Sequence, residues 1–239
     1  MTIQEEKNSE APDLKHPRFV VDHSIKHVVK PFPEQASYIV FCGASRSGKS
    51  SLMTSLLMNS SMYKRAFHNV LLCMPEHSFT SMSTKDNPFI GLDEDKVFHD
   101  FDFDTLDLIL HQIEYYAEQH EDTLLIIDDY AAELKNPKLL RLLCKMVNNR
   151  RHERLSIWMS VQTYRSIPLS NRRTINYLVL FKMKNKAETK AVFDEMGGSR
   201  TKEQFNEMLK FVYDKPHEYL ICDRDHDECW KGFNKLVIT

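Results

Sequence analysis

Five apolar runs, separated by stretches of helical periodicity, set the pattern of hydrophobic and polar positions along this chain. The runs are rich in Val, Ile, Leu and Phe and are apolar at nearly every position. They lie at residues 37–42, 69–74, 123–128, 155–161 and 176–183. Strands of this kind, alternating with amphipathic helices, are typical of a parallel sheet that is covered on both faces. The pattern therefore predicts a three-layer α/β fold.

Helices are predicted wherever apolar residues recur three and four positions apart. One example is the segment with Leu106, Ile109, Leu110 and Ile113 on one face. The predicted helices lie at residues 50–59, 104–119, 137–149, 186–196 and 201–213. After the last of them, the β-rich sequences EYLICD and ECWKGF flank a DRDHD turn, which predicts a terminal hairpin.

Three segments fall outside this alternation. Residues 1–17 are polar and charged and predict a flexible tail. Residues 19–33 are a candidate edge strand ahead of the core. Residues 75–103 lack periodicity, which predicts an irregular insertion at the rim of the sheet.

Composition indicates a folded globular protein, because 42% of the residues are hydrophobic, 28% are charged and only six are glycine. We expect one domain over residues 18–239, with a core at about 37–183 and a C-terminal appendage at about 184–239. The 32 Lys and Arg against 34 Asp and Glu give a net charge of -2. This balance excludes a chain-wide basic field, so any contact with nucleic acid must use a local patch or a surface formed by assembly.

The sequence carries no targeting or membrane-spanning signal. The N-terminal tail lacks the apolar core of a signal peptide, and no apolar run reaches the length that crosses a bilayer. The five cysteines are scattered without a C-x-x-C pair, which favours buried thiols in a reducing compartment. We expect a protein that is neither secreted nor inserted in a membrane.

The sequence GASRSGKS joins the first predicted strand to the first helix and fits G-x-x-x-x-G-K-[ST] without a mismatch. Its glycines let the backbone turn N–H groups inward, and the helix adds its free N–H groups and positive dipole end. The predicted cradle for a polyphosphate comprises Gly43, Ala44, Ser45, Arg46, Ser47, Gly48, Lys49 and Ser50. Lys49 is expected to contact the β- and γ-phosphates, and Ser50 to bind Mg²⁺. The alternative is a phosphate-free glycine turn.

Polar side chains end the third and fourth predicted strands. Asp128 and Asp129 close the third, and Gln162 follows the fourth. Because the carboxyl ends of parallel strands meet at one edge of a sheet, we expect all three beside the phosphates. Asp128 is placed to hold the metal, Asp129 to act as general base on the attacking water, and Gln162 to orient that water. A solvated turn and an exposed loop glutamine are the alternatives.

Two arginine pairs precede the fourth and fifth strands. They are Arg150 and Arg151, and Arg172 and Arg173. A guanidinium that reaches the γ-phosphate bound by a neighbouring subunit would stabilise the charge of the transition state, as an arginine finger does. We expect this role for at least one of the four, although for each arginine singly a solvated surface charge is the alternative.

Taken together, GASRSGKS, LLIIDD and SVQTYRSIP make the chain resemble the genome-packaging ATPases of eukaryotic double-stranded DNA viruses. These belong to the FtsK/HerA superfamily of DNA-pumping motors. The resemblance covers residues 37–183 and includes NRRH ahead of the fourth strand and NRRTIN ahead of the fifth. One departure concerns Asp129, because the second acid of this strand is commonly glutamate in the superfamily.

The resemblance implies a P-loop NTPase sandwich with an added strand between the phosphate-loop (Walker A) strand and the paired-acid (Walker B) strand. It also implies a Mg²⁺-dependent ATPase that forms a homo-oligomeric ring and moves double-stranded DNA into a preformed capsid, with capsid or portal proteins as partners. The implied location is the host cytoplasm, a virus factory or the virion.

Two groups of basic residues are candidates for contact with DNA phosphates. One comprises Arg141, Lys145, Arg150, Arg151 and Arg154, and the other Lys182, Lys184, Lys186 and Lys190. Several copies around a ring would add up to a positive channel that tracks phosphates without reading sequence. A solvated helix face is the alternative.

Three other functions fit parts of the pattern. A GTPase is suggested by NKAE at residues 185–188, which nearly matches N-K-x-D but lacks the aspartate that reads guanine. A small-molecule or nucleoside kinase could use residues 75–103 as a substrate lid. A nucleotide-regulated scaffold would need no hydrolysis.

Overall fold

One mixed sheet organises the described part of this computed structural model, which comprises residues 24–80, 87–130 and 132–238. The strands are β1 (Tyr38–Cys42), β2 (Asn69–Cys73), β3 (Val97–Phe98), β4 (Thr123–Asp128), β5 (Leu155–Val161), β6 (Tyr177–Phe181), β7 (Tyr219–Asp223), β8 (Glu228–Lys231) and β9 (Asn234–Lys235). The helices are α1 (Lys49–Met58), α2 (Glu76–Thr80), α3 (Phe103–Glu118), α4 (Pro137–Asn149), α5 (Leu169–Arg172), α6 (Lys186–Met196) and α7 (Lys202–Val212).

The strand order across the sheet is β3-β2-β4-β5-β1-β6-β7-β8-β9. The first six strands in this order are parallel, and β7, β8 and β9 continue the sheet in antiparallel pairing. Strand β5 lies between β1, which leads into the phosphate loop, and β4, which carries the paired acids. The added strand that the resemblance implied is therefore confirmed, as is the terminal hairpin.

Local sequence signals explain where the helices begin. The Asn136 side chain accepts hydrogen bonds from the backbone N–H groups of Lys138 and Leu139, and Pro137 stands at the first helical position of α4. Helix α7 starts with a capping box, in which Thr201 and Gln204 each satisfy a backbone N–H of the other. The predicted strands and helices of the core agree with the structure to within two residues.

Two hydrophobic clusters flank the sheet and make the three predicted layers. Helices α3, α4, α6 and α7 pack on one face through side chains such as Leu143 and Phe205. On the other face, Met53 and Leu56 of α1 pack with Trp158 and Tyr63. Burying a large apolar side chain contributes roughly 1.5–3 kcal/mol, so these two layers hold the sheet edge that carries the polar strand tips in place.

The structure corrects two predictions about the segments outside the core alternation. Residues 24–33 form no strand, because Pro31 and Pro33 lack the N–H that a ladder needs; instead Val28 and Phe32 are buried against the face that carries α1. Residues 19–23 and the tail at 1–17 lie outside the described residues. Of the segment 75–103, residues 81–86 lie outside the described residues; the rest does lie at the rim, but it contributes α2 and the edge strand β3, which pairs with β2.

Within the described ranges, no helix combines the length and the apolar character that a membrane crossing requires.

Candidate nucleotide-binding site

The phosphate loop leaves β1 at Gly43 and enters α1 after Gly48. A Cβ atom at Gly43 would lie 2.6 Å from the Cβ of Phe181, so the loop passes too close to β6 for any side chain there. Gly48 has φ 109°, a left-handed value that side chains rarely adopt. Both glycines are therefore required by the backbone, as the motif predicts.

Lys49 begins α1 and is only 8% exposed. Its Nζ donates hydrogen bonds to the carbonyl oxygens of Gly43 at 2.7 Å and Ala44 at 3.1 Å. Burial lowers the pKa of Lys49, while the nearby carboxylates of Asp128 and Asp129 act to raise it. The ammonium is thus held inside the loop, in a place where an anion would relieve the cost of its burial.

Asp128 ends β4 as a buried carboxylate, 4% exposed. Its Oδ2 accepts a hydrogen bond from Ser50 Oγ at 3.0 Å, and its Oδ1 accepts one from Ser160 Oγ. Burial raises the pKa of Asp128, and the two serine hydrogen bonds act to lower it. A carboxylate and a hydroxyl oxygen side by side are hard oxygen donors of the kind Mg²⁺ prefers, so these residues fit that ion.

Asp129 and Gln162 meet across the tips of β4 and β5. The Gln162 Nε2 donates a hydrogen bond to Asp129 Oδ1 at 2.9 Å. Asp129 has φ 64°, a left-handed conformation that Asp and Asn adopt more readily than other residues with side chains. The structure therefore brings together Lys49, Ser50, Asp128, Asp129 and Gln162, as expected from the sequence.

A cavity of about 170 Å³ opens between these side chains. It is lined by Ser45, Arg46, Lys49, Ser50, Met74, Ser78, Asp128, Asp129, Ser160 and Gln162. Sequence reasoning missed Ser160, Met74 and Ser78. Ser160 could have been found, because it lies two residues before Gln162 on the same strand and is in register with Asp128. Met74 and Ser78 follow β2, where the sequence shows no periodicity, and they carry no such signal.

The arginines before β5 lie far from this cavity. Arg150 caps the C-terminus of α4 and lines a different cavity, together with Arg151, Ser37 and Asn176. Because Ser37 and Asn176 precede β1 and β6, this second cavity lies at the edge of the sheet where the parallel strands begin, opposite the phosphate loop. Within one chain, neither arginine reaches the nucleotide site.

The arginines before β6 lie at that same opposite edge. Arg172 forms an ion pair with Glu195 at 3.1 Å and stacks over the ring of Tyr164, with 5.2 Å from its guanidinium carbon to the ring centroid. Arg173 is exposed. Arg224, which follows β7, holds this segment by donating to the carbonyl oxygens of both residues.

The segment NKAE, which raised the possibility of a GTPase, has a structural role here. The Asn185 side chain caps α6 by accepting a hydrogen bond from Ala187 N at 2.8 Å. Glu188 is buried and accepts a hydrogen bond from the backbone N–H of Arg165 at 2.9 Å. The carboxylate at the position of the guanine-reading aspartate is therefore engaged inside the protein.

A glycine loop closed by Lys-Ser between a parallel strand and a helix, with a buried aspartate at the tip of a nearby strand, defines a P-loop NTPase. The sequence profile of the family described as Poxvirus A32 protein matches residues 30–222, and the chain belongs to this family. No curated protein sequence gives a significant match.

Solved structures confirm the fold. The genome-packaging NTPase B204 of Sulfolobus turreted icosahedral virus 2, in complex with ATP-gammaS, has 16% sequence identity to this chain and a TM-score of 0.58. The match covers 81% of this chain and 95% of that one. The DNA-packaging ATPase B204 of Sulfolobus Turreted Icosahedral Virus is 16% identical with a TM-score of 0.62, covering 82% and 96%. EssC of Geobacillus thermodenitrificans is 12% identical with a TM-score of 0.54, covering 78% of this chain and 37% of that one.

Proposed function

We propose that this protein is an ATP-hydrolysing motor that moves double-stranded viral DNA into a preformed capsid. The observation that carries the proposal is the position of β5 between β1 and β4, because it places Gln162 beside Asp129 and in the same cavity as Lys49 and Ser50 of the phosphate loop. Membership in the Poxvirus A32 family and the fold shared with genome-packaging NTPases support the same conclusion.

ATP binds with its phosphates in the loop from Gly43 to Ser50. Lys49 contacts the β- and γ-phosphates, which replace the carbonyl oxygens that its ammonium contacts in this structure. Ser50 and Asp128 would hold Mg²⁺, which neutralises the negative charge that develops on the phosphates during hydrolysis. A B204 structure with ATP-gammaS supports nucleotide binding in this fold.

Asp129 and Gln162 act on the water that attacks the γ-phosphate. The amide of Gln162 is an uncharged donor and acceptor, so it can orient water without repelling the phosphate. Asp129 is the general base, and its hydrogen bond with Gln162 fixes the two groups relative to each other.

The placement of the arginines supports a ring. The nucleotide site lies at one edge of the sheet, and Arg150, Arg151, Arg172 and Arg173 lie at the opposite edge. A head-to-tail contact between copies brings opposite surfaces together, and it closes into a ring when the rotation permits. Arg173 is the best candidate finger among the second pair, because Arg172 is held by Glu195.

The lysines after β6 are the better candidates for DNA contact. No described carboxylate forms an ion pair with Lys182, Lys184 or Lys186, whereas Lys190 pairs with Asp194 at 2.6 Å. In the other basic group, Lys145 pairs with Glu114 at 3.5 Å and Arg154 pairs with Asp122 at 3.1 Å. Without a carboxylate partner among the described residues, the positive charge of these three lysines is not offset locally and can attract DNA phosphates.

Such a motor acts where capsids are filled, in the host cytoplasm or a virus factory, and contacts capsid or portal proteins there. A P-loop kinase or GTPase is the alternative function. The GTPase is disfavoured by the buried engagement of Glu188.

The deciding experiment is the ATPase rate as a function of protein concentration, with and without duplex DNA. We expect a rate that rises faster than linearly with protein and is stimulated by DNA. Lys49→Ala should abolish it, and Arg173→Ala should remove the steep dependence on concentration. A rate that is linear in protein and indifferent to DNA would contradict the ring motor, and a clear preference for GTP would favour a GTPase.

A further inference from the structure

His217 contacts the phosphate loop from the C-terminal part of the chain. It lies in the connection between α7 and β7, and its Nδ1 is 3.1 Å from the carbonyl oxygen of Ser47. Because a carbonyl oxygen only accepts hydrogen bonds, Nδ1 must carry the proton and donate it. No motif in the sequence marks this residue, which stands 170 positions from its partner.

The backbone of His217 is in an unusual conformation, with φ 64°. This left-handed conformation costs roughly 1–2 kcal/mol for a residue with a side chain. Such strain persists where the surrounding structure enforces it, and it concentrates at functional sites. Two residues after His217 the chain enters β7, which pairs with β6; Tyr219 lies opposite Phe181, and the centroids of their rings are 5.5 Å apart.

Phe181 joins this pairing to the loop. Its ring carbon lies 3.4 Å from the position of a Cβ atom at Gly48, and His217 Nδ1 lies 3.7 Å from the same position. The imidazole and the Phe181 ring therefore contact the loop at the peptide that joins Ser47 to Gly48.

The orientation of that peptide decides what the contact does. In a planar trans peptide, the C=O of one residue and the N–H of the next point in opposite directions. A donor that holds the Ser47 carbonyl on the outside of the loop therefore turns the Gly48 N–H away from His217. Inward-turned N–H groups are what a loop of this type uses to bind phosphate.

The strand order shows which end of the nucleotide this contact supports. Asp128 and Gln162 lie on β4 and β5, to one side of β1, so the γ-phosphate and metal belong on that side. His217 precedes β7, to the other side of β1. We therefore expect the α-phosphate and the nucleoside on that other side.

We propose that His217 is a positioning residue of the nucleotide site, which holds the phosphate loop in its binding conformation and ties it to the C-terminal hairpin. This inference rests on the proposed function, because it requires that the loop binds a nucleoside triphosphate. The hydrogen bond between His217 and Ser47 would also couple nucleotide binding to the start of β7.

The test compares His217→Ala, His217→Gly and His217→Asn, with His120→Ala as the matched control. Like His217, His120 is exposed and has a left-handed backbone conformation, with φ 61°, but it lies in the turn between α3 and β4. Glycine removes the hydrogen bond together with the backbone strain, whereas asparagine tolerates the left-handed conformation and keeps an amide donor.

We expect His217→Ala and His217→Gly to raise the KM for ATP and the Kd for ATP-gammaS about three- to tenfold, with kcat changed less than twofold. His217→Asn should recover part of the affinity, and His120→Ala should leave it unchanged. Hydrogen exchange supplies an independent readout: ATP-gammaS should slow exchange of residues 213–219 in the native protein and have little effect on this segment in His217→Gly.

Nucleotide affinity of His217→Ala and His217→Gly equal to that of His120→Ala would overturn the inference, as would identical protection of residues 213–219 in the native protein and His217→Gly. Lys49→Ala separates this failure from failure of the proposed function. If Lys49→Ala abolishes ATP-gammaS binding while the His217 variants bind normally, only the role of His217 is wrong. If Lys49→Ala binds normally, the nucleotide site itself is wrong.

Discussion

The side-chain amide of Gln162 donates a hydrogen bond to Asp129 between the tips of β5 and β4, with Nε2 and Oδ1 2.9 Å apart. Asp129→Asn keeps the shape of the side chain and tolerates φ 64°, but it removes the proposed general base. We expect kcat to fall by about two orders of magnitude or more, with the Kd for ATP nearly unchanged. Single-turnover hydrolysis and equilibrium binding measure the two quantities. Wild-type kcat in this variant would exclude Asp129 as the base.

The same backbone angle favours aspartate over glutamate at position 129. Glutamate lacks the short side chain that lets Asp and Asn adopt the left-handed region. Asp129→Glu should therefore lower the free energy of unfolding by about 1 kcal/mol. The longer side chain should also fail to place its carboxylate where Asp129 holds it. Urea denaturation checks this, with Asp129→Asn as the control, whose stability should match the native protein.

Ser160→Ala tests whether Ser160 supports Asp128, the proposed metal-binding carboxylate. The mutation removes a donor that acts to lower the pKa of Asp128, so this pKa should rise further and the carboxylate should bind a divalent cation less well. We expect Mg²⁺-dependent nucleotide affinity to fall about tenfold, and Mg²⁺-free nucleotide affinity to stay the same. Ser156→Ala is the matched control, because Ser156 is also buried on β5 but pairs in register with Leu124. Equal effects of the two changes would mean that only the stability of β5 is affected.

Most of the sheet could be predicted because a buried parallel strand needs apolar residues on both faces. Strand β3 could not, since two residues give no periodicity and its place at the edge depends on pairing with β2. Residues 24–33 form no strand despite their apolar pattern, because proline lacks the N–H group that hydrogen bonding between strands requires.

Some features of the candidate site could likewise be predicted from the sequence, and others could not. Lys49 and Ser50 follow from the phosphate-loop motif, whereas Asp128, Asp129 and Gln162 follow from the rule that the carboxyl ends of parallel strands meet at one edge. The left-handed conformation of Asp129 and the contact of His217 with the loop depend on how distant segments pack. Neither leaves a signal in the order of the residues.

Arg172 and Arg173 are adjacent but should respond differently to alanine. Arg172→Ala leaves the largely buried Glu195 without its ion pair and removes the stack on Tyr164, so it should lower the free energy of unfolding by about 2–3 kcal/mol. Arg173→Ala, at an exposed position, should change stability by less than about 0.5 kcal/mol.

The ATPase rate should show the opposite order: Arg173→Ala should lower it more than Arg172→Ala does. If Arg173 is the finger of the ring, its removal should reduce the DNA-stimulated ATPase rate by about a thousandfold, while Arg172→Ala retains activity below its unfolding temperature. Thermal denaturation and steady-state assays on both variants measure this contrast. Native activity in Arg173→Ala would assign the trans role elsewhere, with Arg151 as the next variant to assay.

The pKa of Lys49 makes nucleotide binding dependent on pH. In the nucleotide-free protein, burial lowers this pKa below its usual 10.5, and bound phosphates should raise it again by supplying negative charge. A group with a higher pKa in the complex takes up a proton on binding, in the pH range between the two pKa values. Affinity should therefore be highest below this range and fall as the pH rises through it.

Calorimetry with ATP, without divalent cations so that metal binding to Asp128 does not contribute, should show proton uptake in buffers of different ionisation enthalpy. Lys49→Arg, whose guanidinium stays charged, is the control and should show no such uptake. Proton release by the native protein would show that another group dominates the linkage.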